Sequence, residues 1–451
     1  MFKTIGFLLL TATFCSGQNA YCQTKSRFTL ADCVKYAVEN NIDMGIAKID
    51  ERMSKLNYQY SKYELYPSVS PSVNYGTNFG RSINPTTNQF ENTSFSSLGL
   101  GFNTNVLLFG WFQKRKNIQS TYLSSELESL RKEKVANEVE LTVITAFLRV
   151  LLAKEQIKNA ELQIGISMDN QNKIQKYFEA GKSNRLDLAQ ALNQLSLDSA
   201  DYLQAELNFK QSEFELKAIM NFSVENDLEL ITPENINDLS VEKLEPLLIY
   251  DVAKTNLPEI KITSTQKKIA SKNLEISKAQ SLPQLSIYGS TGTNYSSSYF
   301  EKLPNGETVA MPFGKQFGNN LSQYIGIGLS VPIFNNLQSK KYIEQNKLQV
   351  QKQIAYEYEA SQKLKQEIFK VCVEYNIAYQ KYLSNCSRKK YSEEAFYAAS
   401  KRFESGLINH SEYIIEKNNL LKATNDQLAS KYDLYFKNLQ IQYYSNSISS
   451  K

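Results

Sequence analysis

The residues able to do chemistry are few, and their spacing suits little of it. His410 is the one histidine, so the two-histidine zinc motif and any histidine pair are absent. Gly181-Lys182-Ser183 looks like the end of a phosphate-binding loop. That loop needs a glycine five residues before Gly181, and Lys176 stands there. Cys33, Cys372 and Cys386 are an odd set, two of them on polar helical stretches, which makes no disulfide framework. They are expected as packed or surface thiols, not metal ligands. What remains is acidic: Asp187 lies six residues after Gly181, and Glu412 six after Gly406. At the start of a helix such carboxylates are favoured by the helix dipole alone. No catalytic set, cofactor or metal is expected.

The elements that carry these residues are long. From Trp111 to about Glu179 there is no proline and a single glycine, Gly165. Roughly 70 helical residues at ~1.5 Å each reach ~100 Å. Gly181 interrupts the pattern, and Leu186 to Met220 is helical again, which implies an αα-hairpin over 111–220. The motif Phe178-Glu179-Ala180-Gly181 recurs as Phe403-Glu404-Ser405-Gly406, with Asn193 and Leu195 recurring as Asn418 and Leu420. A second helical hairpin is therefore expected over 339–445. By themselves Gly181 and Gly406 read as turn or C-cap glycines.

Each hairpin follows an alternating segment. Gln323 to Val331 alternates and runs into Pro332-Ile333-Phe334, where a period of 2 gives way to 3.6. Pro332 cannot donate to a ladder and suits a last strand residue or a bend. Leu98 to Trp111 is an earlier copy: Gly99/Gly101 match Gly326/Gly328, and Asn105 stands in place of Pro332. Ala37, Asn57 and Pro67 correspond to Ala253, Asn273 and Pro283 at one offset of 216 (253 − 37, 273 − 57, 283 − 67). The chain is thus a duplication. One repeat covers 28–220, with a helix or two abutting helices over 28–66 and strands 68–80 and 96–109. The other covers 248–445, with strands 284–299 and 321–333. Polar loops join the strands at 81–95 and 300–320, and 221–247 is a linker with little regular structure.

Composition sets the class. The chain has 451 residues, 42% hydrophobic and 22% charged, which excludes wholesale disorder. Its formal net charge of +5 is too mild to argue for nucleic acid. Met1-Phe2-Lys3, an apolar stretch from Ile5 to Phe14 and small residues after it are expected to be a secretory signal peptide, residues 1–22. Phe14 before Cys15 and Tyr21 before Cys22 are bulky for a lipoprotein signal, so simple cleavage is expected. No later stretch reaches 18 apolar residues. Strands of about 10–14 residues are long enough to cross a bilayer when tilted. Four cannot close a barrel, and open edges in lipid are forbidden, so copies of the chain must share one. Two copies give 8 strands and three give 12.

These features resemble the TolC-type outer membrane efflux proteins over nearly the whole mature chain. The specific parts are the duplicated junction with Val331-Pro332-Ile333-Phe334 and the two Phe-Glu-x-Gly motifs. The resemblance implies a mainly α fold with a β-barrel part. It implies that three chains form a 12-stranded transmembrane β-barrel in the outer membrane and that their helical hairpins form a long periplasmic α-barrel. It implies a passive exit duct in the outer membrane lipid. Its partners would be a periplasmic adaptor and an inner membrane pump of RND or ABC type, or a type I secretion exporter. Gly181 and Gly406 would mark the adaptor-docking tips. Asp187 and Glu412 would sit at the periplasmic aperture, gathered as like charges round a three-fold axis into a cation-attracting constriction. The family's neighbouring lock positions are occupied here by Phe403, Ile408 and Ile415, a departure from its pattern. Phe109, Trp111 and Phe334 at the junctions suit either a core or an aromatic belt at the inner face of the membrane. A non-transporting coiled-coil scaffold or adhesin is the alternative; the four alternating segments count against it. Enzymatic function lacks a catalytic set.

Overall fold

The computed structural model describes residues 26–84, 87–233, 244–304 and 306–445. The expected signal peptide, residues 234–243 of the expected linker, and 85–86 and 305 in the two polar loops lie outside them. The first repeat runs β1 (Ser26–Phe28), α1 (Leu30–Asn40), α2 (Ile42–Tyr63), β2 (Ser68–Ile83), β3 (Phe90–Phe109), α3 (Gln113–Glu179) and α4 (Arg185–Met220). β4 (Leu228–Leu230) follows in the linker. The second repeat runs α5 (Pro246–Asn256), α6 (Pro258–Gln280), β5 (Gln284–Ser296), β6 (Phe300–Lys302), β7 (Thr308–Ala310), α7 (Phe313–Asn319), β8 (Ser322–Ser330), α8 (Gln338–Glu404) and α9 (His410–Tyr444). The described residues form two compact units. Among them, no helix is long and apolar enough to cross a membrane.

One unit is built from 26–41, 139–233 and 381–436. Its core is the stripe Val139, Val143, Phe147, Val150 and Leu151 on α3, with Leu216 and Met220 on α4 and Ala423 and Leu434 on α9, all buried. Thr29 starts α1 with a capping box to Asp32. The expected 28–66 helix is two helices: Asn41 is extended, and its side-chain Nδ2 donates to the Ile219 carbonyl at 2.8 Å. Asn221 returns the contact to the Asn40 carbonyl at 3.1 Å. β1 and β4 pair in parallel, Ser26 with Leu228 to Phe28 with Leu230. Burial pushes the Cys33 thiol up to about 12, with Asp32 adding to it, so it is an inert core group.

The other unit, within 42–138, 244–380 and 437–445, holds an antiparallel sheet in the order β2-β3-β5-β8. The strands of the first repeat are longer than their polar sequence suggested. The ladder continues through Arg81–Asn92 and Ile83–Phe90, so only 84–89 connect β2 to β3. Backbone pairing and the alternating Ile83 and Phe90 outweigh polar composition there. In the second repeat the ladder stops at Ser330 and not at 333, because Pro332 has no N–H to donate. The expected loop 300–320 contains the β6–β7 hairpin and α7. Gln316 on α7 is buried: it accepts from Ser296 N at 2.9 Å and donates to Met311 O at 2.8 Å.

The register separates the sheet into two chemistries. One face carries Ser68, Ser70, Ser72, Asn74, Asn103, Asn105, Ser286, Ser290 and Ser322, with glycines between them. The other carries Val69, Val73, Tyr75, Phe102, Leu100, Ile287, Ile325, Ile327 and Leu329. Val73, Tyr75, Ile325 and Leu329 are 67%, 73%, 80% and 66% exposed in the single chain. The polar face bounds a hollow of ≈ 740 Å³. An apolar outside and a small polar inside are what a sheet needs between lipid and a water-filled lumen.

Candidate functional site

Both tips end their long helix in the same way. At the end of α3, Gly181 takes φ +71°, its N–H bonds to Phe178 O at 3.0 Å, and Lys182 N bonds to Tyr177 O at 2.8 Å. At the end of α8, Gly406 takes φ +71°, with bonds to Phe403 O at 3.0 Å and from Leu407 N to Arg402 O at 2.8 Å. This is the Schellman closure, whose left-handed residue is glycine because no Cβ then meets the carbonyl. A short link then reaches an asparagine cap. Asn184 Oδ1 accepts from Asp187 N at 2.8 Å, and Asn409 Oδ1 accepts from Glu412 N at 2.9 Å. Ser183 Oγ donates to Asp187 Oδ2 at 3.1 Å, which places it in the helix cap and not in a phosphate cradle. Asn409 Nδ2 donates to Glu412 Oε1 at 2.9 Å.

The two tips meet: Ser411 Oγ donates to Gln190 Oε1 at 3.1 Å. Beside this contact His410, the first residue of α9, is 2% exposed against Phe403 and Tyr413. Neither of its ring nitrogens has a protein hydrogen-bond partner. Burial pushes the imidazole below its ordinary range; the Asp187 carboxylate opposes this and Lys417 reinforces it. His410 is therefore a neutral packing ring at ordinary pH.

Sequence reasoning missed a buried polar cluster behind the tips. Lys417 on α9 and Asp198 on α4 are each 2% exposed at the side chain and stand 2.5 Å apart, Nζ to Oδ2. Ser167 Oγ on α3 joins both. Gln194 Nε2 donates to Asp198 Oδ1 at 2.8 Å. Three helices from both hairpins are tied by one satisfied ion pair. The signal was available: at the repeat offset of 225 (406 − 181), Lys417 corresponds to Leu192 and Asp198 to Ala423. A complementary charge pair in one register is apolar in the other.

The junctions repeat with a shift. Trp111 and Phe112 take φ +54° and +63°, and Asn336 and Leu337 take φ +54° and +61°. By backbone, Trp111 therefore matches Asn336, and Phe109 matches Phe334, at the offset of 225 (336 − 111, 334 − 109). The glycine match that sets Asn105 against Pro332 runs two residues out of step, and Pro332 lies two residues past the end of β8. Phe109 packs on Trp111 at 5.3 Å, and Trp111 Nε1 donates to Pro283 O at 2.9 Å. Phe334 is 75% exposed in the single chain. Among the described residues no cluster of three or more His, Cys, Asp or Glu side chains is placed to hold a metal.

A duplicated pair of helical hairpins, each about 100 Å of helix after a sheet with one apolar and one small polar face, defines an outer membrane channel subunit. The family model described as "Outer membrane efflux protein" matches residues 34–221 and 249–445, and the chain belongs to that family. It is an outer membrane efflux channel protein. Its family and fold are those of channel proteins, not of enzymes. Outer membrane efflux protein BepC of Brucella suis is 22% identical over 349 residues, 76% of this chain and 68% of that protein. Alkaline protease secretion protein AprF of Pseudomonas aeruginosa is 26% identical over 231 residues, 49% of this chain and 42% of that protein. The crystal structure of the outer membrane protein VceC from Vibrio cholerae superposes with a TM-score of 0.74 at 11% identity, covering 92% of this chain and 95% of that one.

Proposed function

We propose that three copies close one 12-stranded barrel and act as a passive exit duct, docked at the tips by a periplasmic adaptor. An RND or ABC type pump in the inner membrane would drive export through it. The observation that carries this is the two-faced sheet, whose edges β2 and β8 have no further strand beside them among the described residues. In lipid each edge must pair, and the edge of a second copy is the available partner. The apolar face then meets lipid and the Ser/Asn face lines the lumen. The exposed Phe109 and Phe334 would sit in the interfacial belt. Both efflux and protein secretion occur among the similar proteins named above, so the cargo class stays open between them. Protein extracted in detergent is expected to weigh three chains by native mass spectrometry and to conduct in planar bilayers. A stable, conducting monomer would sink the closure, and trimers that never conduct would favour the scaffold alternative.

Asp187 and Glu412 are proposed as aperture carboxylates. They occupy matching first turns of α4 and α9, and the Ser411–Gln190 contact brings those turns together. Three copies would gather six carboxylates at the entrance. Asp187→Asn with Glu412→Gln keeps the hydrogen-bonding shape and removes the charge. The double variant is expected to lose cation preference, read as a reversal potential shifted toward zero in a salt gradient. An unshifted potential would leave both residues as ordinary helix-start carboxylates.

A further inference from the structure

We propose that Tyr288 and Tyr324 form a binding surface on the channel wall for ring-bearing organic cations. The inference rests on the barrel closure proposed above. Tyr288 on β5 pairs with Gly326 on β8, and Tyr324 pairs with Ser290, so both project from the polar face. The residues around them on that face are Ser, Asn, Gly and Gln, with Leu107 opposite Ser286. The two rings stack, with centroids 5.8 Å apart and planes 27° apart. Their seat is built from missing side chains. A Cβ at Gly326 would meet Tyr288 Cε2 at 2.9 Å and the Tyr324 hydroxyl at 2.8 Å. A Cβ at Gly328 would meet Tyr288 Cε1 at 3.0 Å. The glycine pair is thus a trough along β8 that lets the rings lie over the backbone.

The matching trough in the first repeat is not used this way. A Cβ at Gly101 would meet Ser72 Oγ at 3.2 Å, and one at Gly99 only the Asn74 carbonyl at 3.9 Å. Duplication explains the glycines; it does not explain the tyrosines. Along the paired strands the polar face carries no charged side chain except Glu91 near its far end. Tyr324 is 55% exposed and Tyr288 40% exposed. Three copies would set three such pairs at one level, about 13 Å along β5 from Gln284. Ring faces are electron-rich, so they attract a cation and stack on a flat ring. The other ring that the register puts on this face is Phe95, farther up β3, so the two tyrosines are its paired ring contact.

The test uses purified full-length protein in planar bilayers with propidium, a membrane-impermeant planar aromatic dication, as the probe. Half-block of the ionic current by propidium should need about tenfold more probe in Tyr288→Ser/Tyr324→Ser, one good ring contact at each bound cation. Tyr288→Phe/Tyr324→Phe keeps the rings and should stay within twofold of the parent. Tetraethylammonium, which meets a ring face as a cation but has no flat ring to stack, should shift in the same direction by a smaller factor. Half-block equal in the Ser and parent channels would overturn the inference, and so would loss of block in the Phe channel. A chain that forms no conducting trimer fails the proposed duct instead, so the two failures separate.

Discussion

Lys417→Met should destabilise the helical unit by about 3–5 kcal/mol, the usual cost of leaving a buried charge without its partner. Asp198 would remain 2% exposed at the side chain, holding only the Ser167 and Gln194 hydrogen bonds. Asp198→Ala should cost a similar amount by stranding the ammonium. The sharper test is the pair. The equivalent register carries two apolar residues, Ala423, fully buried, and Leu192, 46% exposed in the single chain. Lys417→Leu with Asp198→Ala copies it, and should return stability to within about 1 kcal/mol of the parent or above it. Thermal melts followed by helical circular dichroism would read all four proteins. A double variant that falls by the sum of the two single losses would show that the ion pair is not the coupled unit.

The pair also explains what the sequence hid. Periodicity made the long hairpins visible because Val139, Val143 and Phe147 recur on one face of α3 and are buried there. Gly181 and Gly406 were visible as breaks because they are the positions that need φ > 0. The ends of the strands were less visible, since Asn92 and Glu91 look like loop residues yet belong to the ladder with Arg81 and Ser82. Ser82 and Glu91 fall on the polar face, where such side chains are at home, and Arg81 and Asn92 fall on the other face at the far end of the ladder, so polarity does not mark a strand's end in such a sheet. Lys417 and Asp198 lie about 220 residues apart, and helical charges are ordinarily solvated faces; only comparison of the two repeats singles them out. The doubled left-handed residues at Trp111-Phe112 and Asn336-Leu337 are unexpected for bulky side chains. Their recurrence in both repeats marks the junction as a shared feature of the fold.

Gly406→Val should abolish export and adaptor cross-linking while leaving trimers in the outer membrane. Gly406 closes α8 with φ +71°, and a Cβ built there meets nothing within 4 Å. The cost of a side chain is therefore backbone strain alone, about 1–2 kcal/mol for an L-residue forced left-handed and more for a β-branched one. That strain falls on the closing bonds from Gly406 and Leu407, and through them on the Asn409 cap and the Ser411–Gln190 contact. The sheet, whose edges the proposed closure would use, lies in the other unit. The chain also supplies the rescue. Asn221 caps α4 in the same left-handed region, with φ 53° and ψ 39°. Gly406→Asn should therefore fold the tip and retain export, whereas Gly406→Val should not. Native mass spectrometry would count trimers in both, and site-specific cross-linking would read docking. If the valine protein exports and cross-links as well as the asparagine protein, the tip is a plain helix turn and the adaptor binds elsewhere.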